Sequence, residues 1–207
     1  INNAINIVLS ATTNLKESHL NTSINLEALN DEITTNINWN NNNYSKLFAG
    51  EFITKSALAN KDSQITIFTD ILPTEFRLQN KSWIIEQSTI WSDLEKIVVN
   101  NFNLHSNDNQ LISIDGIASK NEEEFINIQL KDISLDYIDE LLPEETEISF
   151  GGIVNGSASI SNTLIIPQIK ADVIAKNFHF DESYFGSAIA TCNFDHSTTS
   201  LRFDGTV

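Results

Sequence analysis

Residues able to do chemistry are few in this chain, and they do not converge. His19, His105, His179 and His196 are scattered, without the His-x-Glu or His-x-x-x-His spacing that brings two ligands to one metal. Glu122-Glu123-Glu124 and Glu144-Glu145 offer paired carboxylates, the equipment of glycoside cleavage. Both clusters fall in polar, turn-like surroundings and read as solvated loop charges. His105-Ser106-Asn107-Asp108-Asn109 lacks the glycine and the terminal glutamate of a calcium loop. No nucleophile elbow or phosphate loop is present. Cys192 is the single cysteine, so neither an internal disulfide nor a thiolate metal cluster can form within the chain. The expectation is a protein without catalytic residues, cofactor or metal.

Charge narrows the partners. A formal net charge of −16 over 207 residues repels phosphate backbones and anionic headgroups, which excludes nucleic acid and leaves no polybasic membrane patch. No apolar run reaches the roughly 18 residues needed to cross a bilayer as a helix, and no signal peptide is visible. The chain opens on Ile1 and closes within a strand pattern at Gly205-Thr206-Val207. We read residues 1–207 as one continuous β segment cut from a longer protein.

The elements that would position any site are strands. Apolar and polar residues alternate in Ile112-Ser113-Ile114-Asp115 and in Ile126-Asn127-Ile128-Gln129-Leu130-Lys131, which places each set on one face of a sheet. Ser106-Asn107-Asp108-Asn109 and Lys120-Asn121-Glu122-Glu123 are hairpin-turn signals between such runs. The same texture predicts strands over 3–9, 20–29, 32–39, 47–58, 64–71, 83–90, 147–161, 164–180, 184–194 and 199–207, with Asn40–Asn43 as a turn. Pro73 interrupts the ladder, because proline lacks the donor a central strand needs. Asn155-Gly156 has the form of a hairpin turn, yet Phe150, Gly152, Val154, Gly156, Ala158 and Ile160 hold one phase. That phase predicts an in-strand glycine where two backbones approach.

Two departures from period two carry information. Leu135, Ile138, Leu141 and Leu142 have helical spacing ended by Pro143, which predicts a short helix over 135–142 plugging one end or rim of the sheet. In Val99-Asn100-Asn101-Phe102 and Ala175-Lys176-Asn177-Phe178 the alternation slips by one residue. A β-bulge does that, and a recurring bulge lets a long sheet curl consistently.

The fold class is therefore all-β: a long antiparallel sheet with one apolar and one polar face. That apolar face must be covered, since large exposed apolar patches are rare on soluble proteins. Either the sheet closes on itself into a sandwich or barrel, or it curls into a groove that holds a hydrophobic ligand. The face comprises Ile97, Val99, Phe102, Leu104, Ile112, Ile114, Ile126, Ile128, Leu130, Val154, Ile169, Val173 and Phe178. Small residues share its phase, Gly152, Gly156 and Ala158 on one strand and Gly186, Ala188 and Ala190 on another. They either widen a lumen or receive bulky neighbours from an opposite wall.

From Pro73 onward the order of motifs resembles the TamB family in its Bacteroidetes variety. The motifs are Trp83-Ile84-Ile85, Ser88-Thr89-Ile90, Val99-Asn100-Asn101-Phe102-Asn103-Leu104 and Gln110-Leu111-Ile112-Ser113-Ile114-Asp115-Gly116. They continue through Gly152-Ile153-Val154-Asn155-Gly156-Ser157-Ala158, Ile166-Pro167-Gln168-Ile169 and Leu201-Arg202-Phe203-Asp204-Gly205. The resemblance covers roughly 71–207, while residues 1–70 share only its texture. It implies a U-shaped β-groove, or β-taco, akin to AsmA-like and bridge-like lipid-transfer proteins. Phospholipid acyl chains would then lie on the residues named above, with Ala158 and Ala188 among the lining. It further implies a periplasmic segment of an inner-membrane-anchored protein, partnered by a TamA-type outer-membrane barrel protein and serving phospholipid transport and outer-membrane protein assembly. The alternative reading of the same residues is a structural or adhesive all-β surface protein whose apolar face is ordinary core.

Overall fold

A computed structural model describes residues 4–15, 18–45, 47–61, 64–137, 148–195 and 200–207. They form one antiparallel sheet of fifteen strands. The first nine are β1 (Ile5–Leu15), β2 (Ser18–Leu29), β3 (Glu32–Asn40), β4 (Phe48–Lys61), β5 (Gln64–Ile71), β6 (Thr74–Leu78), β7 (Lys81–Ile85), β8 (Ser88–Ser92) and β9 (Lys96–Ser106). There follow β10 (Leu111–Ser119), β11 (Phe125–Ser134), β12 (Phe150–Ser161), β13 (Gln168–Phe180), β14 (Ser183–Asp195) and β15 (Ser200–Thr206).

The topology is a plain meander, interrupted twice. β5 and β6 lie end to end against β4, separated by Leu72-Pro73, and β7 and β8 lie end to end against β9, separated by Glu86-Gln87. Ile71 faces Ser88 and Thr74 faces Ile85, so both strands advance together across the gap. The circuit of pairings from β4 to β9 arises from these two breaks in what are otherwise thirteen successive rows. Two-residue turns close several hairpins, with Asn30-Asp31 and Gln79-Asn80 at positive φ (52°, 65° and 52°, 62°). That backbone matches the twist of the strands it joins, and Asn and Asp tolerate it best after glycine.

Three bulges with a left-handed Asn or Asp bend the second half of the sheet, and the pairing of β13 with β14 slips once more between Phe178 and His179. Two are those predicted, at Asn101 (φ 49°) and Asn177 (φ 53°), and a third lies at Asp132 (φ 52°). The third was legible in Leu130-Lys131-Asp132-Ile133, where the apolar phase slips by one. Asn155 holds this bulge with its side chain: Oδ1 accepts from the Asp132 N–H at 3.0 Å, and Nδ2 donates to Asp132 Oδ1 at 3.1 Å. Beyond β12 the backbone folds back toward β10. Leu164 N–H and the Thr163 hydroxyl both donate to the Ser119 carbonyl, at 3.2 and 3.1 Å. Parts of β10 and β12 come within 8 Å between Cα atoms, where a flat sheet holds strands two rows apart at about 9.6 Å. The sheet is curled here.

Three readings need correction. Residues 164–166 are a turn and not the start of a strand, because Asn162 takes a left-handed φ of 50° and Pro167 follows. Leu164, Ile165 and Ile166 are exposed there. The strand predicted over 83–90 is two strands, and β6 was not read because Pro73 stands before it. The helix predicted over 135–142 is seen at its start, where Asp136 and Tyr137 are helical, and 138–142 lie outside the described residues. By contrast, β12 runs unbroken through Asn155-Gly156, as its phase predicts. A Cβ on Gly156 would collide with the backbone of Asp172 and Val173 in β13.

Candidate functional site

Cross-strand register places all fifteen predicted lining residues on one face of the sheet. One line across the strands runs Phe102, Ile114, Ile128, Ala158, Ala171, Cys192. The next runs Leu104, Ile112, Leu130, Gly156, Val173, Ala190, and a third links Val99, Gly116, Ile126, Ile160 and Ile169. Beyond the Asp132 bulge, Ile133, Val154, Ala175 and Ala188 form another line, and beyond the Asn177 bulge Phe178 faces Gly186. Ile97, opposite Ala118, lies at the rim and is 38% exposed. The bulges keep the apolar set on one side: without the extra residue at 101, 132 and 177, the second part of each strand would turn its apolar side chains outward.

Along this face the filling changes. Over β3 to β9 it is packed with large rings. Trp39 and Phe76 meet edge to face at 5.6 Å between centroids, Phe76 stacks on Trp83 at 6.5 Å, and Tyr137 abuts Trp83 at 5.6 Å. Gly50 makes the first contact possible. It lies opposite Trp39 on β4, and a Cβ there would strike both Trp39 and Phe76. Ile71, Phe76, Trp83, Ile85 and Tyr137 are buried, with Phe48, Phe52, Phe102, Leu104 and Ile133 packed around them. Phe102 and Leu104, predicted as groove lining, thus border this aromatic bank.

Over β10 to β14 the floor is aliphatic instead, with Ile and Leu on β10 and β11 giving way to small residues on β12 to β14: Gly156, Ala158, Ala171, Val173, Ala175, Ala188 and Ala190. Its apolar residues are mostly half-buried, while the opposite face of β11 and β13 is exposed in strict alternation. Among the described residues no large side chain is completely buried. Close backbone approaches between strands join rows paired in the sheet, the approach of β10 to β12 excepted, while the rings of Trp39 on β3 and Phe76 on β6 meet across β4. The chain exposes 12794 Å², against roughly 9,700 Å² for a compact monomer of its 23.1 kDa mass. The described residues therefore form a single curled layer, with an apolar face that its own side chains fill in the middle and leave open toward β14.

The lip beside the β6–β7 and β9–β10 turns holds a cluster of polar contacts. Lys81 binds Asp108 at 3.0 Å, and that hydrogen-bonded partner holds its ammonium above the usual lysine range. Gln110 is buried. Its Nε2 donates to the Tyr137 hydroxyl at 3.0 Å and its Oε1 accepts from the Ser134 N–H at 3.2 Å. At the other lip, the Asp93 carboxylate accepts from the backbone N–H groups of Glu95 and Lys96, which hold its pKa below the usual carboxylate value. No three His, Cys, Asp or Glu side chains among the described residues are placed to share a metal ion. The bank itself was missed in the sequence. Its signal was the large ring at Trp39, Phe76 and Trp83 in the apolar phase, with Gly50 opposite the first.

Comparison of the chain with protein-family models, curated proteins and solved structures returns no match.

Proposed function

We propose that the chain is a segment of a TamB-like envelope protein whose curled sheet offers a hydrophobic groove to phospholipid acyl chains. In this reading it stands in the periplasm, within a protein anchored in the inner membrane and partnered at the outer membrane by a TamA-type barrel protein. Its work is phospholipid transport in support of outer-membrane assembly. The observation that carries the reading is the apolar floor of β10 to β14, aliphatic on β10 and β11 and small on β12 to β14, which the described residues leave uncovered in a sheet of one layer. An apolar surface of that kind is stable in water only when something covers it, and an acyl chain matches its shape and chemistry. The competing reading, a structural protein with an ordinary core, draws on the aromatic bank, which fills its part of the face without any guest.

The test is native mass spectrometry and lipid extraction on the 207-residue chain purified from a Gram-negative host. Co-purifying phospholipid is the expected result. A folded, lipid-free chain that also takes up no added phospholipid would retire the groove.

A further inference from the structure

Three hydrogen-bond donors on the apolar face are buried without an acceptor: the indole N–H groups of Trp39 and Trp83 and the hydroxyl of Ser88. Trp83 is 2% exposed and Ser88 4%. Folded proteins satisfy nearly all such groups, so each exception calls for a partner that the surrounding side chains do not supply. The side chains over Trp83 are held in different ways. Phe76 belongs to β6, within the sheet. Tyr137 comes from the turn after β11 and is tied down by three bonds: Gln110 to its hydroxyl at 3.0 Å, Gln79 Nε2 to the Asp136 carbonyl at 3.1 Å, and Leu135 N–H to the Gly152 carbonyl at 2.9 Å.

We infer that Tyr137 is a movable cover, and that the bank beneath it is a polar station of the groove that takes the ester carbonyl oxygens of a glycerolipid. This rests on the groove reading above. With Tyr137 lifted, Trp83 Nε1 donates to a carbonyl while the attached chain lies along the floor that begins at β10. β7 pairs with β9 and β9 with β10, so the two regions are neighbours. The acceptor must be neutral. Among the described residues the charged side chain in phase with this face is Lys81 at its rim, already bound to Asp108. A phosphate brought onto the bank would be stranded without a counter-charge, whereas an ester carbonyl needs only a donor.

The experiment compares diester and diether phosphatidylcholine, which share headgroup and chains but differ in the carbonyl, by native mass spectrometry on the 207-residue chain. The diester is expected to occupy the protein roughly fivefold more tightly, the worth of about one net hydrogen bond. Trp83→Phe keeps a ring in place and is expected to abolish that preference while both lipids still bind. Equal binding of the two lipids to the unaltered chain overturns the station and leaves the groove standing. Binding of neither overturns both. The cover is tested in a Trp39→Phe, Trp91→Phe background, where Trp83 alone reports. There Tyr137→Phe, which strips Gln110 of its acceptor, is expected to raise acrylamide quenching at least twofold, and unchanged quenching overturns the movable cover.

Discussion

The aromatic bank over β3 to β9 and the floor over β10 to β14 share one sheet, one alternation and one apolar face, yet they treat that face in opposite ways. In the first, Trp39, Phe76, Trp83 and Tyr137 meet ring to ring and shut water out. In the second, Ala158 faces Ala171 and Gly156 faces Val173, side chains too short to cover the strands they sit on. Period two decides which residues turn inward. Side-chain size decides whether the inside is full.

The sharpest way to break this comparison is to remove equal chemistry from both regions. Trp83→Ala is expected to cost about 3–5 kcal/mol in urea unfolding, as for other large-to-small changes in closed cores. Ile128→Ala, from a half-buried position on the floor, should cost about half as much or less, since much of its surface never left water. Equal losses would mean that the floor is as closed as the bank. The second expectation concerns lipid and not stability. Ala158→Trp should fill the floor and remove most photocrosslinking to phospholipid while changing the unfolding midpoint little; undiminished crosslinking in a folded variant takes Ala158 out of the lining. Third comes the bend between the regions. Asn101→Val is expected to lose about 1–2 kcal/mol, because a β-branched residue resists positive φ, whereas Asn101→Gly should lose nothing measurable. A harmless valine would show that the bulge does not depend on left-handed backbone.

The smallest effect is electrostatic and local. Asp93 has its carboxylate pKa lowered in the fold, so its contribution is present above the unfolded value of about 3.9 and is lost as pH falls through the folded one. Protection of the Glu95 and Lys96 amides against hydrogen exchange should fall only as the pH drops below 3.8, the ordinary carboxyl value, and Asp93→Ala should remove that pH dependence. An unaltered acid profile in the variant would assign the effect to another group.

Much of this was legible from residue order alone. Alternation placed the strands, their faces and all fifteen residues assigned to the apolar side, and two phase slips located two of the three bulges. What escaped did so for physical reasons. Leu164-Ile165-Ile166 has strand composition, but left-handed Asn162 and a pair of bonds to Ser119 hold it as a turn. Pro73 hid β6, since a proline break looks the same whether or not a strand resumes beyond it. The bank depends on Trp39, Gly50 and Phe76 standing opposite one another in three strands, a juxtaposition that register creates and linear pattern does not contain.

Asn101, Asp132 and Asn177 are not level with one another. Asn101 lies before the Phe102–Ile114–Ile128 line, Asp132 beyond the Leu104–Ile112–Leu130 line, and Asn177 beyond the Val154–Ala175 line. The crease they make thus crosses the sheet on a diagonal, so the bend shifts along the strands from one row to the next. In the proposed groove, a guest sliding from β9 toward β14 would have to turn as it advances, which makes its flexibility count as well as its oiliness.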